Sequence, residues 1–112
     1  MSEGTFIEID VDDLDERLTT GGFLVDVRET DEYLSGHVPG AISVPLSELS
    51  GRVDECRHPD GGTTIMICKV GGRSANACAH LAGLGFDVVN VSGGTMAWLM
   101  SGRDVVEGSQ PR

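Results

Sequence analysis

Basic residues are scarce in this sequence. Its 112 residues include 8 Lys and Arg against 18 Asp and Glu, which gives a formal net charge of −10. A chain this acidic repels the phosphates of nucleic acids and of anionic lipids, so we expect neither a nucleic-acid partner nor a membrane surface. Aromatic residues are scarce as well, at 4% of the chain. The hydrophobic core is therefore expected to be mainly aliphatic.

Long hydrophobic runs and paired metal ligands are also missing. No apolar run exceeds five residues, far fewer than a membrane-spanning helix needs. The N-terminus has neither the basic nor the apolar segment of a signal peptide, so a cytoplasmic protein is expected. The three cysteines form no Cys-x-x-Cys pair, and no two histidines have metal-ligand spacing. We therefore expect no disulfide framework and no metal site.

Short apolar runs alternate with amphipathic segments along almost the whole chain. The runs predicted as strands are residues 6–9, 23–27, 41–44, 64–67 and 87–91. Helices are expected between them, including one at 47–57. This alternation with short connections is typical of a single α/β domain, a parallel sheet with helices on both faces. We place the domain at residues 5–106, with frayed tails at 1–4 and 107–112.

The most informative segment follows the fourth predicted strand. Cys68 ends this strand, and a helix is expected to begin near Ser74. Gly71 and Gly72 allow positive φ angles, so successive backbone N–H groups can turn toward one centre and form an anion-binding nest. A Gly72→Val change is expected to harm stability and activity, because a β-branched residue resists positive φ. Ligands of parallel α/β sheets bind at this carboxyl edge of the strands.

Two cations, Lys69 and Arg73, flank this loop. Together with the nest and the positive end of the next helix, they favour a thiolate and an anionic substrate. The segment therefore predicts a nucleophilic Cys68 in a cradle of amides. The residues predicted to bind substrate are Lys69, Val70, Gly71, Gly72, Arg73 and Ser74. The alternative interpretation is that Cys68 is simply a small buried hydrophobic residue.

The other cysteines and His37 carry weaker signals. Cys78 lies among alanines on the predicted helix after the loop, which indicates packing, with a resolving thiol for Cys68 as the alternative. Cys56 has no functional pattern around it. His37 lies in the turn at 36–40, Gly-His-Val-Pro-Gly. It is expected to orient this turn by hydrogen bonding rather than to act as a base.

Three signatures in order resemble the rhodanese superfamily, specifically its single-domain thiosulfate sulfurtransferases. They are Leu-Val-Asp-Val-Arg-Glu at 24–29 with the turn at 36–42, the loop at 68–74, and the segment 91–98 with its Gly-Gly and Ala-Trp pairs. The resemblance implies a five-stranded parallel sheet flanked by helices. It also implies that Cys68 takes a sulfane sulfur from thiosulfate or a persulfide donor and passes it to a thiol or cyanide acceptor. No metal or organic cofactor is implied.

The resemblance also assigns structural roles near the site. Asp26 and Arg28 carry over as structural residues, and Arg28 is expected to pair with Glu32 within its own loop. The related phosphatases and arsenate reductases have Cys-x5-Arg, a wider ring of amides, whereas four residues separate Cys68 from Arg73 here. Their chemistry is the less favoured alternative.

A third class is a sulfur-carrier or interaction module that serves a partner protein, such as a sulfur-relay protein. Val70 stands where a polar loop residue would contact thiosulfate. Together with the acidic surface, this leaves the natural donor open between thiosulfate, a small persulfide and a protein persulfide.

Overall fold

A parallel sheet of five strands forms the centre of the computed structural model, which describes residues 5–112. The strands are β1 (Ile7–Ile9), β2 (Phe23–Asp26), β3 (Ile42–Ser43), β4 (Thr64–Ile67) and β5 (Val88–Val91). Their order across the sheet is β1-β5-β4-β2-β3, and every neighbouring pair is parallel. The predicted fold class is confirmed. The tail predicted at residues 1–4 lies outside the described residues.

Helices cover the sheet on both sides. Within residues 5–112 the α-helices are α1 (Val11–Thr19), α2 (Thr30–Ser35), α3 (Gly72–Gly83) and α4 (Gly94–Met100). The start of α1 is set by Asp10, whose side chain accepts the Asp13 N–H at 2.8 Å, which satisfies a free donor of the first turn. No helix in this part of the chain combines the length and the apolar character needed to cross a bilayer.

The core has two halves, one on each face of the sheet. Alternate residues of a strand point to opposite faces. Accordingly, Ile65 and Ile67 pack with buried residues of α1, α2 and α4. Met66 and Cys68, two residues further on, pack with buried residues of α3. The central strand β4 is therefore buried on both faces, and Cys68, the residue after it, is buried as well.

The prediction of an α-helix at 47–57 was wrong. The structure has two short 3₁₀ helices there, Leu46–Gly51 and Val53–Cys56, separated by Arg52 at φ −133°. Ser50 and Gly51 are poor helix formers in the middle of the segment. The hydrogen bonds close over three residues, as in Arg52 N–H to the Leu49 carbonyl at 2.9 Å.

Residues 107–112 make hydrogen bonds that no pattern in the sequence indicates. The N–H of Gly40 donates to the carbonyl of Pro111 at 2.8 Å. A ring nitrogen of His37 lies 2.8 Å from the carbonyl oxygen of Gln110. These bonds hold the end of the chain against the turn at 36–40.

Candidate active site

The loop between β4 and α3 lies at the carboxyl edge of the sheet, as the sequence predicts. Cys68 follows β4 directly, and α3 begins at Gly72, two residues before the predicted start. Gly71 is the N-cap of α3 and has φ +112°, in the left-handed region that favours glycine. Gly72 does not have a positive φ, so the conformational reason given for Gly72→Val applies to Gly71 instead.

The sulfur of Cys68 is buried at the bottom of this loop, where the residue is 1% exposed. The N–H of Gly71 donates to Sγ at 3.1 Å, and Oγ of Ser74 lies 3.3 Å from it. Burial by itself raises the pKa of Cys68. The hydrogen bonds from Ser74 and from the backbone N–H groups of Gly71 and Val70 outweigh burial, and the pKa lies below its ordinary value.

The other two cysteines differ in this respect. Burial raises the pKa of Cys56 to about 11 and that of Cys78 to about 12. Both are uncharged thiols at neutral pH, and all three cysteines are free. Because the thiolate is the nucleophilic form, the lowered pKa favours Cys68 over the other two cysteines as the candidate nucleophile.

The partner of Arg73 lies on another element. Its guanidinium donates to both carboxylate oxygens of Glu32 on α2, at 2.7 and 2.9 Å. This hydrogen bonding lowers the pKa of Glu32 to about 2. The predicted pair between Arg28 and Glu32 was therefore wrong: Glu32 binds the loop arginine and ties α2 to the loop.

Arg28 instead pairs with Asp26. The Asp26 side chain is completely buried, and the Arg28 guanidinium donates to both of its oxygens at 2.8–3.1 Å. The guanidinium also donates to the carbonyl of Gly36 at 2.7 Å. This pair connects the end of β2 to the turn after α2, a structural contact of the kind expected for both residues.

His37 is buried in the same turn. Its Nδ1 lies 2.8 Å from the carbonyl oxygen of Tyr33, and its ring stacks on the Tyr33 ring with the centroids 3.7 Å apart. Its other ring nitrogen faces Gln110. Within the described chain neither nitrogen contacts Cys68, so the structure gives His37 contacts for positioning the turn and none with the sulfur.

The outer side of the loop is open to solvent. Lys69 and Val70 are exposed, Val70 at 62%. Among residues 5–112, Lys69 has no ion-pair partner. A cleft of about 210 Å³ opens beside Lys69. Its lining residues are Arg28, Glu32, Ser35, Lys69, Thr95, Met96 and Leu99. In the described residues no cluster of His, Cys, Asp or Glu could hold a metal ion.

A strand, a cysteine loop and a helix in this order also occur in a known protein family. Residues 10–101 match the family of rhodanese-like domains. The chain belongs to the rhodanese family. A sulfurtransferase from Allochromatium vinosum is 35% identical to this chain over 102 residues, which cover 88% of this chain and 94% of that protein.

Two further comparisons agree with this assignment. The crystal structure of a rhodanese-related protein from Thermoplasma volcanium has a TM-score of 0.82 and 33% identity, covering 90% of this chain and 98% of that one. A Bacillus subtilis protein, YrkF, provisionally named a sulfur carrier protein, is 37% identical over 87 residues, 77% of this chain and 44% of that protein. These relatives support sulfur transfer as the general activity of this rhodanese domain.

Some contacts of the rhodanese loop come from α4 and were not predicted. The N–H groups of Thr95 and Met96 donate to the carbonyls of Cys68 and Lys69, each at 2.9 Å. A Cβ built on Gly94 would lie 2.5 Å from the Cys68 carbonyl oxygen. Only glycine allows this close approach. The Gly-Gly pair at 93–94 was the sequence feature that indicated a close backbone approach. The sequence did not show that the Cys68 carbonyl is the group approached.

Asn90 on β5 also supports the loop and was missed. Its side-chain N–H₂ group donates to the carbonyl of Gly71 at 3.1 Å. It is 1% exposed. A polar residue inside a buried strand is itself a signal, because buried polar groups require partners.

Proposed function

We propose that this rhodanese domain is a sulfurtransferase in which Cys68 carries the transferred sulfur as a persulfide. The observation that carries the proposal is the position of the Cys68 sulfur, 3.1 Å from the Gly71 N–H and with a lowered pKa, at the bottom of a loop of amides. Such donors stabilise the negative charge that sulfur carries both before and after transfer. The relatives support the general chemistry, and the residue assignments are part of the proposal.

The reaction takes place in two displacements. The Cys68 thiolate attacks the outer, sulfane sulfur of thiosulfate, a new S–S bond forms, and sulfite leaves with the electron pair of the broken bond. The outer sulfur of the resulting persulfide is then attacked by cyanide or by a thiolate. Its S–S bond to Cys68 breaks, thiocyanate or a new persulfide leaves, and the Cys68 thiolate is regenerated. No oxidant, reductant or metal enters this balance.

The loop residues have different roles in this proposal. The backbone N–H groups of residues 69–73 hold the charge on sulfur. Lys69 is the cation free to attract an anionic donor, because Arg73 is neutralised by Glu32. Within the loop at 68–74, a single cation without an ion-pair partner in the described chain, set against a net charge of −10, makes a weak site for the thiosulfate dianion. An organic persulfide is therefore an equally suitable donor. The free thiols agree with a reducing compartment, so we place the reaction in the cytoplasm.

Intact mass spectrometry tests the assignment. After incubation with thiosulfate, or with an organic persulfide, wild type should gain the mass of one sulfur atom and lose it on addition of cyanide. Cys78→Ser should behave as wild type, since a thiol with a pKa near 12 does not react at neutral pH. Cys68→Ser should gain nothing while it melts like wild type. A sulfur adduct on Cys68→Ser would overturn the proposal.

A second candidate function is sulfur delivery to a partner protein. Val70, Met96 and Leu99 are exposed beside the loop, at 62%, 39% and 46%, and exposed apolar residues near a reactive group suit a protein partner. YrkF, with its carrier name, points in the same direction. To test this function, the Cys68 persulfide is formed first, and a protein with free thiols is then added as the sulfur acceptor. Hydrolysis of an aryl phosphate instead of sulfur loading would favour the phosphatase alternative.

A further inference from the structure

A chain of polar side chains leads from the surface to the Cys68 sulfur. Asn90 lies on β5, and its side-chain N–H₂ donates to Oε2 of Glu8 on β1 at 3.0 Å and to the carbonyl of Gly71 at 3.1 Å. Ser74, on the first turns of α3, lies between Asn90 and Cys68. Glu8 is exposed at the edge of the sheet, whereas Asn90 and Ser74 are buried.

The orientation of the Asn90 amide follows from its partners. The Glu8 carboxylate and the Gly71 carbonyl are acceptors only, so the group that faces them must be the donor, the N–H₂. Oδ1 of Asn90 consequently faces Oγ of Ser74. Since Oδ1 is an acceptor only, the Ser74 hydroxyl must donate the proton of this hydrogen bond.

Ser74 has one hydroxyl proton and more than one acceptor. Besides Asn90 Oδ1, its Oγ lies 3.3 Å from the Cys68 sulfur and 3.4 Å from the Gly71 carbonyl oxygen. A hydroxyl donates to one acceptor at a time. When it serves Asn90, the sulfur keeps only its backbone donors. When it turns to the sulfur, the buried carbonyl oxygen of Asn90 loses the hydroxyl donor that it has among the described residues, and leaving a buried acceptor unpaired is unfavourable.

We propose that Glu8 and Asn90 are positioning residues for Cys68: Glu8 fixes the Asn90 amide, and Asn90 competes with the sulfur for the Ser74 hydroxyl proton. The Ser74 hydroxyl donates its hydrogen bond to Asn90 Oδ1 while Cys68 is a thiol. It donates to the Cys68 sulfur instead when that sulfur becomes a thiolate. A flipped Asn90 would release the hydroxyl permanently, but it would set Oδ1 against the Glu8 carboxylate as well as the Gly71 carbonyl oxygen. The negative charge of Glu8 therefore restrains thiolate formation through two intervening side chains.

The catalytic meaning of this competition rests on the proposed sulfur transfer, but its effect on Cys68 ionisation does not. The ionised fraction is measured directly by the far-ultraviolet absorbance of the thiolate as a function of pH, with Cys68→Ser as the blank for the other two cysteines. Arg73 and Cys78 also interact with the charge of Cys68, and Glu8 raises the pKa of Cys78. Each blank therefore combines Cys68→Ser with the same residues at positions 8 and 74 as the variant that it corrects. Loss of sulfur-transfer activity in any assay would leave this test intact.

The decisive experiment is a double-mutant cycle between Glu8 and Ser74. Glu8→Gln weakens the restraint on Asn90 and should lower the pKa of Cys68 by about 0.5, the effect of a hydrogen bond of modest strength. Ser74→Ala removes the hydroxyl and should raise this pKa. In the Ser74→Ala background, Glu8→Gln should then have no effect, because no proton remains to be released.

Two controls separate the relay from simple charge effects. Glu16→Gln removes the same charge from an exposed position on α1 and should leave the Cys68 pKa unchanged. If Glu8→Gln lowers the pKa equally with and without Ser74, the charge of Glu8 acts directly and the proposal is wrong. An unchanged pKa in Glu8→Gln alone would also overturn it. If Ser74→Ala melts too early to be titrated, all variants are titrated at a lower temperature at which Ser74→Ala remains folded.

Discussion

At the scale of single residues, the three cysteines show how neighbours decide reactivity. All three are buried, and burial raises each pKa. Only Cys68 receives hydrogen bonds that outweigh burial, from the loop amides and from Ser74. Cys56 and Cys78 have no comparable donors and pack as small hydrophobic residues. The pKa of Cys68 is thus set apart from those of the other two cysteines by a few N–H and O–H groups within 3.3 Å of its sulfur.

Arg73 illustrates a second effect of a neighbour. Its pair with Glu32 joins the cysteine loop to α2, two elements that are distant in sequence. The side chains are 36% and 29% exposed, so solvent screens part of their attraction. We assign the pair mainly to holding the loop in place, and Lys69 to attracting the donor.

Replacing Glu32 with Gln tests the contribution of this pair to stability. Gln retains an acceptor for the Glu29 N–H but removes the charge, and we expect a loss of about 1 kcal/mol in the free energy of unfolding at neutral pH. The pKa of Glu32 falls from an ordinary 4.5 to about 2. A lowered pKa stabilises the fold above the unfolded value, and this contribution disappears as the pH falls from 4.5 through about 2.

Urea denaturation of wild type and Glu32→Gln across this pH range is the measurement. The two stabilities should converge as the pH approaches 2, the folded-state pKa of Glu32. Glu16→Gln, which removes an exposed carboxylate without an ion pair, is the matched control. A difference between wild type and Glu32→Gln that stays constant with pH would show that the charge is not responsible.

At the scale of elements, the site is made where β4, α3 and α4 meet. Gly71 turns the chain into α3 with a positive φ, and Gly94 lets the start of α4 approach the Cys68 and Lys69 carbonyls. The N–H groups at the start of α4, which have no partner within their helix, bind these carbonyls. The loop is therefore fixed from both sides before any substrate binds.

The two glycines at the start of α3 should respond differently to substitution. Gly71→Ala forces a Cβ into a left-handed conformation and should cost about 1–2 kcal/mol and impair sulfur loading. Gly72→Ala meets no atom within 4 Å and lies in a helical position, so its stability should equal or slightly exceed that of wild type. Thermal melts of both variants make the comparison. Equal melting temperatures would contradict the strained turn at Gly71.

The extent to which the elements were predictable varies along the chain. Strands β2, β4 and β5 are continuous apolar runs of the kind that buried parallel strands require, so their positions were evident. An α-helix was wrongly predicted near residues 46–56 because Leu46, Leu49 and Val53 have helical spacing. The chain there forms two 3₁₀ turns around Gly51 and Arg52, and spacing alone does not distinguish these from an α-helix.

At the scale of the whole molecule, the end of the chain supports the turn at 36–40. Val106 and His37 exchange backbone hydrogen bonds at 2.9 Å. The Gly40 N–H donates to the carbonyl of Pro111 at 2.8 Å, and Nε2 of His37 lies 2.8 Å from the carbonyl oxygen of Gln110. This turn carries Gly36, whose carbonyl binds the guanidinium of Arg28 beside the site. The chain end thus reaches the site region through a continuous set of bonds.

Removing residues 107–112 should therefore destabilise the domain. The Gly40 N–H and the buried His37 ring lose their partners, and we expect the melting temperature to fall by roughly 5–10 °C. Gln110→Ala is the matched control, because the bond uses its backbone carbonyl, and it should melt like wild type. Differential scanning calorimetry makes the measurement. A truncated chain that melts at the wild-type temperature would show that these contacts contribute nothing.

Features that depend on residues close together in the chain could be predicted before the structure was known. Apolar runs and glycine turns indicate the strands, the order of elements and the cysteine loop at 68–74, because these are local signals of backbone preference and burial. The contacts between distant residues became known from the folded structure: Arg73 with Glu32, Asn90 with Glu8 and Ser74, and the backbone of Gly94 with the Cys68 carbonyl. These partners are separated in sequence, and the strand order brings them together at the carboxyl edge of the sheet. The strand order cannot be predicted from local sequence patterns, because it is selected by the packing of the two core halves against the sheet.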